Sequence, residues 1–289
     1  MELTVQGLPA TLTLPEGPVR AGLIPLHGAS NPERDHWLYR HLAEVLPQHG
    51  IAVLRYDRRP SASDVPFADQ AADAIAAVEA LREYTGDVPI GLWGYSQGAW
   101  VAPLAAATAP EWVAFVITVS ACGVSPGEQM RYGLAEQLRA AGHASALGEL
   151  TTVQDALYAF LRGESDAAAY NAAVAPFAER PWWGLTGYHS ELPADLQATG
   201  LWTDLDYDPE PAFAGVRCPV LAFYGESDAW VPIEHSLNVW NNAAVHSPEV
   251  VRLEGCDHKP ATDPDGPPAR EYEDALVEWL AWRVTGRNR

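Results

Sequence analysis

The stretch Val88-Pro89-Ile90-Gly91-Leu92-Trp93-Gly94-Tyr95-Ser96-Gln97-Gly98-Ala99-Trp100-Val101-Ala102-Pro103-Leu104 decides how the rest of the chain is read. An apolar run enters Gly94-Tyr95-Ser96-Gln97-Gly98, which has the form G-x-S-x-G, and an alanine-rich stretch leaves it. Strand, sharp turn and helix in that order make a nucleophile elbow. A strand reversing straight into a helix forces the serine into a strained backbone geometry, and side chains two residues to either side would collide there, hence the glycines. The turn carries the Ser96 hydroxyl to the end of a sheet and puts the Gln97 amide at a helix N-terminus. Alone, the pattern is also met as a glycine-rich turn with an incidental serine, so its partners matter.

A serine hydroxyl needs a base, and the base needs an orienting acid. In a fold of this kind the chain order is Ser, then Asp or Glu, then His. Beyond the elbow a second apolar strand, Pro219–Tyr224, runs into Gly225-Glu226-Ser227-Asp228, and a third, Val250–Leu253, runs into Glu254-Gly255-Cys256-Asp257-His258. Asp228 and His258 thus both lie just past strand ends, where open α/β sheets keep their sites. Asp228 is the expected acid and His258 the expected base. Glu226 and Asp257 are the rival carboxylates, the first nearer the strand end and the second adjoining the histidine; a helix-capping role is the plainer alternative for Asp228. An early strand, Ala21–Leu26, runs into His27-Gly28-Ala29-Ser30, the loop expected to hold the second oxyanion donor. The amides of Gln97 and Ala29 are therefore the candidate oxyanion hole, and His27 is expected to brace its loop.

Taken together, the His27-Gly28 turn, Tyr56-Asp57-Arg58-Arg59, Gly94–Gly98, Gly225–Asp228 and Gly255–His258 make the chain resemble an α/β-hydrolase along nearly all its length except the middle. The stretch His27–Asp35 also resembles the HGSG-x-x-DRD variant of hydrolases related to the dienelactone hydrolase and prolyl-oligopeptidase groups. The resemblance implies a Ser-Asp-His hydrolase acting on esters, thioesters, lactones or amides. Pro60-Ser61-Ala62-Ser63 stands where the family often has a glycine-rich turn, and position 29 is alanine where serine or glycine is common.

Residues 1–122 and 212–289 carry the βα rhythm of a mostly parallel sheet flanked by helices, an α/β fold. Strands are expected at about 3–6, 10–14, 20–26, 51–56 and 112–120, and helices at 35–48, 68–84 and 270–284. Residues 123–211 break the rhythm, with helical periods at about 126–141, 149–162 and 165–179, and are expected to form a helical cap (lid) inserted over the catalytic rim. Trp182, Trp183, Tyr188 and Trp202 either line its pocket or glue it to the core.

Composition narrows the function. The 289 residues are 48% apolar, enough for a large core, and contain no apolar run of about 18 residues that would span a membrane. Met1–Gly7 alternates like a strand rather than a signal peptide. Three scattered cysteines, Cys122, Cys218 and Cys256, suit a reducing compartment, and a cytoplasmic location is expected. The net charge of −20 disfavours nucleic acid and anionic membranes as partners and leaves a small-molecule acyl substrate. Asp204-Leu205-Asp206-Tyr207-Asp208 mimics a calcium loop, but Pro209 stands where glycine is required and Gly215 where glutamate is required, so no metal is expected. No dinucleotide fingerprint opens a helix, and no cofactor is expected. The terminal Gly286–Arg289 reads as a frayed end. An ester, lactone or thioester is the first expectation. Acyl transfer or perhydrolysis on the same triad, amide or peptide hydrolysis, and non-catalytic small-molecule binding stay open beside it, as does the oligomeric state.

Overall fold

The computed structural model describes residues 1–60, 65–199, 201–263 and 266–284; Ser61–Ser63, in the departure after Arg59, and Gly286–Arg289 lie outside these described residues. Eight strands, β1 (Glu2–Val5), β2 (Leu8–Thr13), β3 (Ala21–Leu26), β4 (Ile51–Tyr56), β5 (Ile90–Tyr95), β6 (Phe115–Val119), β7 (Val220–Gly225) and β8 (Glu249–Leu253), form one sheet in the order β1-β2-β4-β3-β5-β6-β7-β8. β1 and β2 pair antiparallel, as do β2 and β4, and the remaining neighbours are parallel. Every residue of β3, β4, β5, β6 and β7 is buried, because helices cover both faces of a parallel sheet. Those strands consequently read as nearly continuous apolar runs, interrupted only by Arg55 in β4 and Thr118 in β6, whereas the half-covered β2 alternates.

The helices are α1 (Trp37–Val45), α2 (Phe67–Thr85), α3 (Gly98–Thr108), α4 (Pro126–Ala140), α5 (Leu147–Leu161), α6 (Ala167–Val174), α7 (Ala194–Thr199), α8 (Glu210–Gly215), α9 (Ile233–Ala243) and α10 (Arg270–Val284). One apolar cluster joins a sheet face to α2, α3, α8 and α9 through Val78, Leu81, Val101, Phe213 and Trp240. The other face meets α1 and α10 through Leu38, Leu42, Tyr272 and Leu276. Each such side chain withdrawn from water contributes about 1.5–3 kcal/mol.

The helix expected over 35–48 is shorter: α1 ends at Val45, and Leu46–His49 tightens into a 3-10 turn closed by Gly50 at φ 81°. Pro47 has no N–H to continue the ladder and would crowd the carbonyl four residues back. Likewise α6 stops at Val174, ahead of Pro176. α4 starts with a reciprocal capping box between Ser125 and Glu128 and has Pro126 in its first turn. From α4 to α7 the chain contains no strand among the described residues, and α4, α5 and α6 bury a third apolar cluster of their own around Leu138, Val153, Tyr158 and Val174.

Candidate active site

The turn from β5 into α3 is built as tightly as its glycines require. Ser96 sits at φ 52°, a left-handed conformation that costs a non-glycine residue about 1–2 kcal/mol. A Cβ on Gly94 would overlap the Gly98 carbonyl oxygen, and one on Gly98 would lie 2.5 Å from the Leu26 carbonyl oxygen of β3. The Ser96 amide donates to the Val119 carbonyl at 3.0 Å, which ties the turn to the end of β6.

Asp228 and His258 reach the same rim from the loops after β7 and β8. The Ser96 hydroxyl lies 2.9 Å from His258 Nε2, and His258 Nδ1 lies 2.9 Å from Asp228 Oδ2. The Asp228 side chain is fully buried, and its Oδ1 accepts from the Trp230 amide at 2.8 Å and the Val231 amide at 3.2 Å. Those amide bonds stabilise a carboxylate withdrawn from the protein surface. The rivals are elsewhere: Glu226 is exposed, and Asp257 is exposed and accepts from the Lys259 amide. The two loops are locked together, since a Cβ on Gly225 would overlap the Asp257 carbonyl and the Ser227 amide donates to the Cys256 carbonyl at 3.0 Å. Cys256 itself is buried in the apolar layer beneath, where desolvation raises its thiol pKa and keeps it protonated.

One contributor to this geometry carries no recognisable sequence signal. Ser120, buried and at φ 57°, directs its hydroxyl to the His258 carbonyl at 3.0 Å, holding the histidine loop from the end of β6.

Ala29 and Gln97 border the same cavity as Ser96, one from the loop after β3 and one from the start of α3. Arg58 spans these two elements, donating to the Ala29 carbonyl at 2.7 Å and to the Gln97 side-chain oxygen at 2.5 Å. By fixing the Ala29 carbonyl, Arg58 restricts the peptide that carries the oxyanion candidates' loop, and it brings a positive charge close to both. Its neighbours serve the scaffold. Asp57 receives the Arg34 side chain at 2.6 Å, and Arg59 forms a two-point pair with the buried Asp73.

His27 braces the loop from below. Its Nε2 donates to the Tyr56 carbonyl at 2.7 Å, and Tyr39, whose hydroxyl accepts from the Gly28 amide at 3.0 Å, packs edge-on against its ring. Burial pushes the His27 pKa down from 6.5 to about 4, so the ring is neutral at pH 7. Between those two values the unfolded chain takes up a proton that the folded one refuses. His27 therefore removes stability as the pH falls from about 6.5 to about 4, and contributes no further change below that. Urea unfolding across this range should show the wild type losing up to about 3 kcal/mol more than His27→Gln, which keeps a donor but cannot titrate. Equal losses in the two proteins would mean that His27 accepts a proton freely in the fold.

A cavity of about 290 Å³ opens beside the serine, walled by Ala29 from the loop after β3, by Ser96, Gln97 and Trp100 from the elbow and α3, and by Pro126, Gln129, Met130, Leu161, Leu196, Leu201 and Trp202 from the helical segment. Of the four aromatic residues singled out in the sequence, Trp202 alone borders it. Trp182 is buried in the helical segment's own cluster and donates to Glu149 at 3.0 Å, and Trp183 and Tyr188 pack against that cluster. Trp100, Met130 and Leu161 are wall residues that sequence periodicity marks only as apolar helix positions. The calcium-loop mimic is occupied with scaffolding: Asp204 accepts from the Phe67 amide, Asp206 pairs with Arg162, and Asp208 caps the Glu210 amide. Among the described residues no group of three or more His, Cys, Asp or Glu side chains could hold a metal ion, and no helix is long and apolar enough to cross a membrane.

A family model described as "Alpha/beta hydrolase family" matches residues 26–270. No curated protein sequence matches the chain. Among solved structures, Est1E from Butyrivibrio proteoclasticus is similar at 19% identity and TM-score 0.61, over 99% of this chain and 98% of the other. A monoacylglycerol lipase of Paleococcus ferrophilus is similar at 19% identity and TM-score 0.56, over 96% and 99% respectively. A proline iminopeptidase of Mycobacterium smegmatis is similar at 16% identity and TM-score 0.57, over 100% and 99%. At these identities the likeness is one of fold.

Proposed function

The chain belongs to the alpha/beta hydrolase family, and we propose that within it the protein is a serine hydrolase cleaving a carboxylic ester, lactone or thioester through an acyl-enzyme. The observation that carries this reading is the continuous hydrogen-bonded line from Ser96 Oγ through the His258 ring to the buried Asp228 carboxylate, at 2.9 Å for each link. His258 Nε2 takes the hydroxyl proton as Ser96 Oγ attacks the carbonyl carbon, and Asp228 holds the ring in the tautomer that leaves Nε2 able to accept it. The amides of Gln97 and Ala29 receive the oxyanion, where a preorganised donor pair lowers the barrier by several kcal/mol. His258 then returns the proton to the leaving oxygen or sulfur, and water, activated by the same ring, releases the acid. Every step uses side chains and amides of the protein, so the proposed reaction calls for no metal or cofactor.

The helical segment 123–211 is read as a cap over the rim, with 1–122 and 212–289 as the hydrolase core, because the cavity beside Ser96 is walled from both. A small-molecule acyl compound is the proposed partner. The acidic surface, with a net charge of −20, argues against nucleic acid and anionic membranes, and the free Cys122, Cys218 and Cys256 fit a cytoplasmic setting.

Methanol partitioning tests the acyl-enzyme. Esters sharing one acyl group but differing in alcohol should give the same ratio of methyl ester to free acid at a fixed methanol concentration, because all pass through one Ser96 acyl-enzyme. A ratio that changes with the leaving alcohol would point instead to direct attack by water.

A further inference from the structure

We propose that the cavity beside Ser96 receives the acyl side of the substrate and selects an uncharged, apolar acyl group of modest size, a medium alkyl chain or a single aromatic ring. This rests on the serine-hydrolase reading above and deepens it.

The side of the scissile bond follows from proton transfer. The group that protonates the leaving oxygen must reach it, so the leaving alcohol lies toward His258 Nε2. The cavity touches Ser96 and both candidate oxyanion residues, Gln97 and Ala29, yet neither His258 nor Asp228 is among its described walls. A carbonyl carbon placed at Ser96 with its oxygen toward Gln97 and Ala29 therefore directs its acyl substituent into the cavity and its alcohol away from it.

The class of acyl group follows from the walls. Met130, Leu161, Trp100 and Trp202 are apolar, and no Asp, Glu, Lys, Arg or His lines the cavity among the described residues. A carboxylate or ammonium placed there would lose its water and meet no charged side chain in the wall, while the Arg58 guanidinium behind it is engaged by the Ala29 carbonyl and the Gln97 side chain. The volume of about 290 Å³ lies just below the range for small-molecule sites, about 300–1,000 Å³, which suits one compact group better than a long fatty chain. The Trp202 amide donates to the Leu161 carbonyl at 2.9 Å, so two of the walls are joined and their spacing is fixed.

The test uses p-nitrophenyl esters of acetate, butyrate, pentanoate, hexanoate and palmitate. Beside them stand an anionic ester (the monosuccinate) and a cationic one (4-trimethylammoniobutyrate). The expected kcat/KM rises about fourfold per added methylene up to a medium length, then falls steeply at palmitate. Both charged esters should fall at least tenfold below pentanoate. Testing both signs separates the pocket from the surface, because the protein's negative field would slow the anion and favour the cation; high salt removes that field. Leu161→Trp should lower the hexanoate-to-acetate ratio at least tenfold while leaving the ranking of acetate esters of different alcohols as in the wild type. Met130→Ala, which enlarges the cavity, should move the preference to longer chains and serves if Leu161→Trp does not fold. Ser96-dependent turnover that ignores acyl charge and length, or a Leu161→Trp effect on the alcohol instead, would overturn the pocket assignment alone. Turnover that survives Ser96→Ala would overturn the serine-hydrolase reading and this inference with it, whereas no turnover of any ester in the panel would overturn this inference alone.

Discussion

Ser96→Ala should lower kcat for any ester the protein turns over by about 10⁴- to 10⁶-fold, leaving only the residual acceleration from binding and the oxyanion donors. The expectation rests on how little else at the site can substitute. Cys256 is buried beneath the loop, and burial keeps its thiol protonated, so it offers no replacement nucleophile. The substitution leaves the turn's surroundings in place: alanine is smaller than serine by one oxygen, and Gly94 and Gly98, whose missing side chains permit the tight turn at φ 52°, are unchanged. Thermal unfolding of the variant should accordingly stay close to that of the wild type, which separates lost chemistry from lost structure. A folded variant retaining more than about a hundredth of wild-type kcat would mean that a water, and not Ser96, attacks the carbonyl.

Asp228→Asn should be nearly as damaging, about 10⁴-fold in kcat, with KM little changed because Asp228 is proposed to act on the histidine and not on substrate. An asparagine oxygen can keep the two bonds that Oδ1 accepts from the Trp230 and Val231 amides, so the loop survives. Its NH₂ group would then face His258 Nδ1, in place of the carboxylate oxygen now 2.9 Å away. A donor there favours the tautomer with the proton on Nε2, the atom that has to accept from Ser96 at 2.9 Å. Alanine at the same place is a worse probe, since it would leave the buried Val231 amide unpaired at about 1–3 kcal/mol and the half-buried Trp230 amide without its acceptor. If kcat in Asp228→Asn fell less than tenfold, the buried carboxylate would be a loop cap and not the partner of the base.

Much of this arrangement could be read in the sequence because its constraints are local. The spacing of Gly94 and Gly98 around Ser96 reports a backbone that no side chain can share, and the overlap with the Gly98 and Leu26 carbonyls is that constraint in three dimensions. The fully buried strands β5 and β7 stand out in the sequence as apolar runs, and each ends just before a chemically distinctive residue. What escaped the sequence depends on the packing of distant segments. Ser120 reaches the His258 carbonyl across 138 positions of chain, and nothing around Ser120 distinguishes it from an ordinary strand-end serine. Arg58 was visible as part of a motif, but its span from the Ala29 carbonyl to the Gln97 side chain requires three loops to be brought together. Trp202 and Trp182 look alike in the sequence, yet one borders the cavity and the other is buried against α5 and Phe177. Six-residue helices such as α7 and α8 are too short for periodicity to reveal them.

The most direct test of the central claim is to treat the protein with a fluorophosphonate and locate the adduct by peptide mass spectrometry. One stoichiometric adduct is expected on the peptide carrying Ser96, formed far more slowly in Asp228→Asn, because phosphonylation needs the same activated hydroxyl as acylation. An unmodified Ser96 in folded protein, or labelling equally fast without Asp228, would contradict the claim that Ser96, His258 and Asp228 act as one catalytic unit.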